Sequence, residues 1–457
     1  AIKVVENFGK VSGTKFNKSK TEVLWLGDNP PPQRFLDDIP WTYGPIKSLG
    51  IYFSKNSVEA NKLNWEDKIE KLKRILDNWR KRNLTFFGKV TVLKSLALSQ
   101  IMYTAAVLYT PEWVIKQIRK LSLDFLWNNK KYKIKDTYLQ RDYENGGIKL
   151  TDIKAQIMSL KLKWIGRILD ETNASWKYIP KSQFGKIGGL PLCLNYNLKL
   201  EHIKDVNKMS PFYEEIFKAW CVVNNIMKQN YNTQCGILNE VIWYNSNITQ
   251  GRKPLFSKEW LKAGIITIRD IVDESGFIDY LKIKQKMKSR AARATCFFDL
   301  ERIKKCMKKT WKNVLCNVDL EYYDTNKRNV KDPPLLKVRG KMYQIWQLET
   351  KTFYEILTEN NASVSRVQPY WQNKVFNNPM GHHGLDWHHI WDFKLKSVKD
   401  IRLKNFNFKF LYNIVPVNSN LYKWKLSDDD LCPECNIKED ILHAFLFCER
   451  VKTFWEW

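Results

Sequence analysis

Trp65-Glu-Asp-Lys-Ile-Glu-Lys-Leu-Lys-Arg-Ile-Leu-Asp-Asn-Trp79 carries apolar side chains at 65, 69, 72, 76 and 79. Steps of four, three, four and three return to one face of a helix with 3.6 residues per turn. The segment therefore predicts an amphipathic helix, with Lys68, Lys71, Lys73 and Arg74 elsewhere around it. The same spacing predicts a second helix over roughly 88–103, through Val90, Leu93, Ala97 and Ile101, and a third after Pro111, through Ile115, Ile118, Ser122 and Phe125. Asn145-Gly146-Gly147 marks a tight turn. Beyond it Thr151 is the expected N-cap of a helix whose stripe is Ile153, Ile157, Leu160, Trp164 and Ile168. On the N-terminal side the pattern differs. Glu22-Val-Leu-Trp-Leu-Gly27, a loop at Pro30, Pro31 and Pro32, and Ile46-Lys-Ser-Leu-Gly-Ile-Tyr-Phe53 make the first sixty residues read as short strands and turns. The fold class is mainly α with a small β portion at the N-terminus. Breaks are expected at 186–191, a Gly-rich linker, and at Asp332-Pro-Pro334 and Asn378-Pro379.

The 457 residues are 44% hydrophobic, enough for ordinary buried cores. Lys and Arg number 76 against 48 Asp and Glu, a formal charge of +28 that calls for a polyanionic partner and salt-sensitive binding. No run of eighteen apolar residues and no secretion-type leader is present, so the expected surroundings are nucleus and cytoplasm and no membrane partner is expected. A first residue of Ala, with structure beginning at once, is how a piece of a longer polypeptide would look. Cys193, Cys221, Cys235, Cys296, Cys306 and Cys316 are scattered and read as ordinary thiols.

The other three cysteines fall within seventeen residues: Cys432-Pro-Glu-Cys435, His443 and Cys448. Tetrahedral zinc takes four N or S donors, and a Cys-x-x-Cys turn supplies two from one knuckle. Ile441-Leu-His-Ala-Phe-Leu-Phe447 has helical character and can aim His443 at the knuckle. Cys448, five residues on, would lie about 140° round a continuous α-helix, so the helix must end or distort near Phe447. Four donors without a spare carboxylate, Asp440 and Glu449 being read as surface, predict a closed structural zinc site.

A basic run carries Lys282, Lys284, Lys286, Lys288, Arg290, Arg293, Arg302, Lys304, Lys305, Lys308, Lys309 and Lys312 against only Asp299 and Glu301. Phe297, Phe298 and Trp311 are interleaved, a mixture suited to nucleic acid; a solvated helix face is the plain alternative for any one lysine. Gly381-His-His-Gly-Leu-Asp-Trp-His-His389 reads as a surface histidine cluster, with Trp387 and Trp391 paired at i, i+4. Asp37-Asp38 and Asp428-Asp429-Asp430 read as solvated turns. No phosphate-binding loop, nucleophile elbow or spaced carboxylate pair for two Mg²⁺ ions is visible.

Several segments, in this order, resemble the C-terminal half of reverse transcriptases of non-LTR (LINE-type) retrotransposons. Ser12-Gly-Thr-Lys-Phe-Asn-Lys-Ser-Lys-Thr-Glu22 resembles the palm segment after the catalytic Tyr-x-Asp-Asp. Lys47-Ser-Leu-Gly-Ile51 resembles the primer-grip hairpin, and Trp79-Arg-Lys-Arg-Asn-Leu-Thr-Phe-Phe-Gly-Lys89 the thumb. Phe125-Leu-Trp-Asn-Asn129, Asn145-Gly-Gly-Ile-Lys-Leu-Thr-Asp-Ile153 and Trp164 are similar to blocks beyond that thumb. Phe406-Asn-Phe-Lys-Phe-Leu-Tyr412 leads into a site similar to the family's reverse-transcriptase zinc-binding domain. The likeness covers roughly 1–170 and 385–457.

The resemblance implies an RNA-directed DNA polymerase with RNA and DNA as partners. Its parts would be the end of an α+β palm over 1–60, thumb-like helices over 61–108, a helical post-thumb region over 109–190, a basic helical region over 191–384, and the zinc-binding domain over 385–457 with its knuckle at 432–448. Lys20 would be the palm lysine, and Leu49 and Gly50 would position primer. The metal-binding aspartates would lie upstream of Ala1. The chain alone would then not polymerise, Mg would belong to the parent enzyme, and the preceding part of the same polypeptide would be a partner. The competing reading is a non-enzymatic, zinc-dependent nucleic-acid or protein adaptor derived from a retrotransposon.

Overall fold

A computed structural model describes the chain except for residues 1, 16, 30–38, 40, 207–208, 228–233, 274–275, 279, 316–331, 360–366 and 377–384. The fold is mainly helical with small two-stranded sheets. It divides into two units: Ala1–Val107, Pro111–Leu150 and Val367–Trp457 form the first, and Leu108–Thr110 with Thr151–Arg366 the second. The prolines at 30–32, the Asp37-Asp38 pair, Asn378-Pro379, Cys316, His382 and His383 lie outside the described residues.

In the first unit, the helix predicted from 65–79 spans Ser57–Arg80, started by Asn56, whose side chain accepts from the N–H groups of Val58 and Glu59. Trp65, Leu72 and Leu76 are buried against the Glu112–Trp127 and Ser99–Val107 helices, while Ile69 and Trp79 are half-buried. The residues expected to form one helix over 88–103 are all buried at Val90, Leu93, Ala97 and Ile101, but the helix is not continuous. A π-turn over Leu93–Ala97 separates Phe86–Val92 from Ser99–Val107, and the two halves meet at a 48° bend. One extra residue in the turn keeps the apolar stripe inward while the axis changes direction. No single described helix is long and apolar enough to cross a membrane.

The β portion is smaller than the sequence predicts. Ile2–Ser12 is a helix, Val23–Leu24 pairs parallel with Trp41–Thr42, and Ile46–Ser48 pairs antiparallel with Ile51–Phe53. That hairpin is fixed by buried Asn64, whose side-chain amide donates to Tyr52 O at 2.8 Å and accepts from Tyr52 N at 2.8 Å, imitating a neighbouring strand. Its two-residue turn is Leu49-Gly50, with φ of 49° and 79°. Glycine takes such a value freely; a leucine there is strained.

Asn145-Gly146-Gly147 is the expected turn, and its glycines are forced. Gly146 has φ 77°, and a Cβ there would stand 2.7 Å from the ring of Trp391; one on Gly147 would stand 2.0 Å from Arg141 O. Tyr412 donates from its hydroxyl to Gly146 O at 2.9 Å. This turn thus seats the 401–411 helix and the buried Trp391 against the first part of the chain, within one unit.

The second unit is built on the Ile153–Leu169 helix, capped by Asp152, not by Thr151: the Asp152 carboxylate accepts from Ala155 N at 3.0 Å. Thr151 is one residue too early for that bond. Ile153, Ile157 and Ile168 are buried as expected, and Leu160 and Trp164 half-buried. The helix is covered nearly all round, so even Lys161 is fully buried, paired with Glu215 at 3.0 Å. Residues 186–191, expected as a linker, are core instead: Ile187 and Leu190 are buried with Leu192, Cys193 and Tyr196. Gly188 and Gly189 at positive φ let the chain fold back there rather than extend.

Candidate metal centre and basic faces

The Cys/His site is assembled from a hairpin and a helix. Leu431 bridges Lys438 across the knuckle, Cys432 N donates to Ile437 O at 2.7 Å, and Asn436 N donates to Cys432 O at 2.8 Å. Asn436 takes the left-handed φ of 54° that turns the strand after the second cysteine. The knuckle is tied to the 418–423 helix, because Asn418 Nδ2 donates to Leu431 O at 2.7 Å and Asn418 N donates to Glu439 Oε1 at 2.9 Å. Asp429 and Asp430 belong to this framework: Asp429 accepts from Leu431 N, and Asp430 pairs with Lys438 at 2.9 Å.

The helix bearing His443 begins at Asp440, which sequence reading assigned to the surface. Its Oδ1 accepts from Leu442 N at 3.0 Å and His443 N at 2.9 Å, and Lys374 pairs with its other oxygen at 2.7 Å. Burial pushes the Asp440 carboxyl up, but Lys374 and the helix N–H groups outweigh it and hold the acid below its ordinary value. The anticipated distortion near Phe447 is a π-turn over His443–Phe447, closed by Cys448 N donating to His443 O at 2.8 Å. The wider turn brings the cysteine five residues on back toward the face of the histidine, and Cys448 then leaves the helix with extended backbone.

Cys432, Cys435, His443 and Cys448 place their donor atoms within 4.8 Å of one another. The Sγ of Cys448 lies 3.8 Å from that of Cys432 and 3.8 Å from that of Cys435. Thiolates about 2.3 Å from a tetrahedral zinc stand about 3.8 Å apart, so the spacing fits the ion. The buried Nε2 of His443 has no hydrogen-bond partner among the described residues, which leaves its lone pair for a metal. The Cys432 thiol is drawn down to about 7, first by the Cys435 backbone N–H and then by His443. For Cys448 the Arg450 N–H pulls the thiol down, while burial and the two neighbouring sulfurs push it up, leaving it above its ordinary value. Three sulfurs this close are stable together when a cation sits among them. The group could bind a metal such as zinc, its four side chains offering one donor atom each.

The basic run of the second unit forms three helices, Tyr280–Lys286, Arg290–Cys306 and Lys309–Val314. Ile283, Ala292, Cys296, Leu300, Ile303 and Trp311 are buried, so Trp311 is core and cannot stack on a ligand. Lys282, Lys284, Lys286, Lys288, Arg290, Arg293, Lys305, Lys308 and Lys309 are exposed; Lys304 is half-buried and paired with Glu301 at 2.9 Å. Arg290, Arg293, Phe297, Phe298 and Lys305 share the solvent face of the middle helix, and Phe298 is 72% exposed. Arg302 is held by Asp299 at 3.2 Å.

Lys20 is exposed at the end of a short turn over Lys18–Lys20, and Leu49 is exposed at the hairpin tip. His388 and His389 are exposed on the Trp387–Trp391 helix, whose two tryptophans pack 5.5 Å apart as the spacing predicted. Cys193, Cys221 and Cys296 are buried free thiols whose pKa values burial raises, as suits inert core residues.

A helical chain closing on a Cys₃His metal group is what the structure defines, and comparison with known proteins adds its relatives. No family model matches the chain. It is 24% identical over 299 residues, 62% of its length, to the "Transposon TX1 uncharacterized 149 kDa protein" of Xenopus laevis, of which it covers 22%. It is 22% identical over 129 residues, 27% of its length, to a "Putative ribonuclease H protein" of Arabidopsis thaliana, of which it covers 21%. The chain thus spans about a fifth of each of these relatives and is distantly related to a transposon-encoded protein.

Proposed function

We propose that the chain is a C-terminal portion of a non-LTR retrotransposon reverse transcriptase whose part is to hold template and primer nucleic acid, with structural zinc in the domain that carries residues 432–448. The observation that carries the reading is the match to a transposon protein over 62% of a chain that carries a zinc-competent Cys₃His group. The +28 charge and the exposed cation and phenylalanine face of 290–305 suit phosphate contact and base stacking. In this reading the rigid 46–53 hairpin offers Leu49 and Gly50 to primer, Lys20 lies on the palm side, and Mg²⁺ chemistry belongs to the parent polymerase.

The metal's part is structural. Deprotonated Cys432, Cys435 and Cys448 with neutral His443 would hold it, and the ion would tie the knuckle to the His443 helix. The test is binding of a labelled single-stranded RNA by the full chain and by a variant with Gln at Lys284, Lys288, Arg290 and Arg293. Loss of most affinity in the variant, with zinc content unchanged, is expected. Equal affinity of the two would remove the 282–309 run from the binding surface.

A further inference from the structure

A second group of cations gathers in the first unit, away from the run that the sequence advertises. It forms where the Phe86–Val92 helix packs on both the Glu112–Trp127 and the Ile401–Leu411 helices. Lys89, buried, donates from Nζ to Leu126 O at 2.9 Å and to Asn128 Oδ1 at 2.7 Å, so it caps the carbonyl end of the 112–127 helix. Lys409 lies over the Phe86 ring at 5.8 Å, and Lys133 over the ring of Trp424. Lys130 is exposed beside them.

Capping explains Lys89, and Asp77 pairs with the nearby Arg80 at 2.6 Å. Nothing comparable serves the rest. Among the described residues, Lys130, Lys133 and Lys409 have no carboxylate partner. They come from two stretches of chain almost three hundred residues apart in sequence, and Phe86 joins them: its ring lies under Lys409 and 5.0 Å from the ring of Trp127, whose carbonyl accepts from Lys130 N at 3.0 Å. Burial and then Lys130 and Lys409 draw Lys133 down to about 8; burial, Arg80 and Lys409 do the same to Lys89. Like charges gathered by the fold without a counter-ion form a site that an external anion stabilises.

We propose that Lys130, Lys133 and Lys409 form a second nucleic-acid contact, taking backbone phosphates of a single-stranded RNA, on the face where the 86–92 and 401–411 helices meet. Lysine can serve this ligand as a point charge against phosphate. The contact reads backbone rather than sequence, and one face of the neighbouring Trp424 ring is already taken by Lys133. The inference rests on the reading that the chain handles nucleic acid, and the test separates the two.

The full chain is treated with an amine-acetylating reagent, with and without a single-stranded RNA oligonucleotide, and each lysine is read by mass spectrometry. Protection of Lys133 and Lys409 together with Lys284 and Lys288 is expected. Protection of Lys284 and Lys288 alone would overturn the second contact and leave the first; protection of none would overturn both. Poly-glutamate protecting Lys133 and Lys409 where RNA does not would assign the face to an acidic protein and overturn the proposal. The variant with Gln at Lys133 and Lys409 should also show a slope of log affinity against log salt shallower by about 1.4, two single-strand phosphates' worth. Arg at both positions should restore it, and an unchanged slope in the Gln variant would contradict the assignment.

Discussion

His443, Cys432, Cys435 and Cys448 bind metal only if each side chain is held where the others need it, and at this scale Asp440 does as much as a ligand. Its carboxylate caps the helix through the N–H groups of Leu442 and His443. Asp440→Ala should destabilise the domain by ~1 kcal/mol and speed zinc release to a chelator; an unchanged release rate would show that the cap does not orient the histidine. Elemental analysis should find one zinc per chain, and none in the Cys432→Ser, Cys435→Ser double variant. Retention of the metal would place it elsewhere. The clustering of the four candidate donors was legible because donor chemistry and spacing are written in the sequence; Asp440 was not, since an acid before a helix looks the same whether or not a ligand follows. Lys161 was hidden for a different reason. Its pairing with Glu215 is made across more than fifty residues, and burial comes first in lowering the lysine's pKa and raising the acid's. Lys161→Met should leave Glu215 buried and unpaired at a cost of ~3–5 kcal/mol in denaturant unfolding. Lys89 gives a pH dependence. Its folded value of about 8 lies below the ordinary 10.5, so the unfolded chain binds the proton more tightly. Stability at this site should rise with pH from about 8 toward 10.5 and be flat below 8, and Lys89→Met should flatten that rise in pH-dependent unfolding.

At the scale of elements, periodicity identified helices well and their interruptions poorly. The 57–80 helix follows directly from its apolar stripe, and so do the inward positions of Val90, Leu93, Ala97 and Ile101. The π-turn at 93–97 escapes a pattern reading because one inserted residue moves the axis and leaves the stripe intact. At 443–447 the need for a distortion could be stated in advance, since two ligands five apart do not share an α-helical face. Its form was not. Deleting Leu446 would put the cysteine four residues after His443, about 40° round an α-helix and on one face with it, so the π-turn should become unnecessary and the zinc be kept; loss of the metal would show that the π-turn itself shapes the site. The 186–191 stretch misled through its glycines, which here permit a tight fold into the core rather than an exposed joint. Trp311 misled through its neighbours, for an aromatic in a basic run can face either way until the core is known.

For the molecule as a whole, charge is the property that the sequence reports without ambiguity, and its arrangement is what folding adds. The excess appears as an exposed cation and phenylalanine face on 290–305 in the second unit and as the Lys130, Lys133 and Lys409 group in the first. The first face could be seen in a continuous run of residues. The second could not, because it joins segments that no local pattern links. The relatives include a transposon-encoded protein, of which this chain covers about a fifth, and both surfaces suit a segment that holds nucleic acid. The measurement that bears most directly on this is the affinity of the intact, zinc-loaded chain for single-stranded RNA as salt is raised from about 50 to 200 mM. Phosphate contacts by several lysines and arginines predict log affinity falling linearly with log salt, by a factor of about 3 × 10² if six are engaged. An affinity that holds constant across that range, or no binding at its low end, would contradict a nucleic-acid grip.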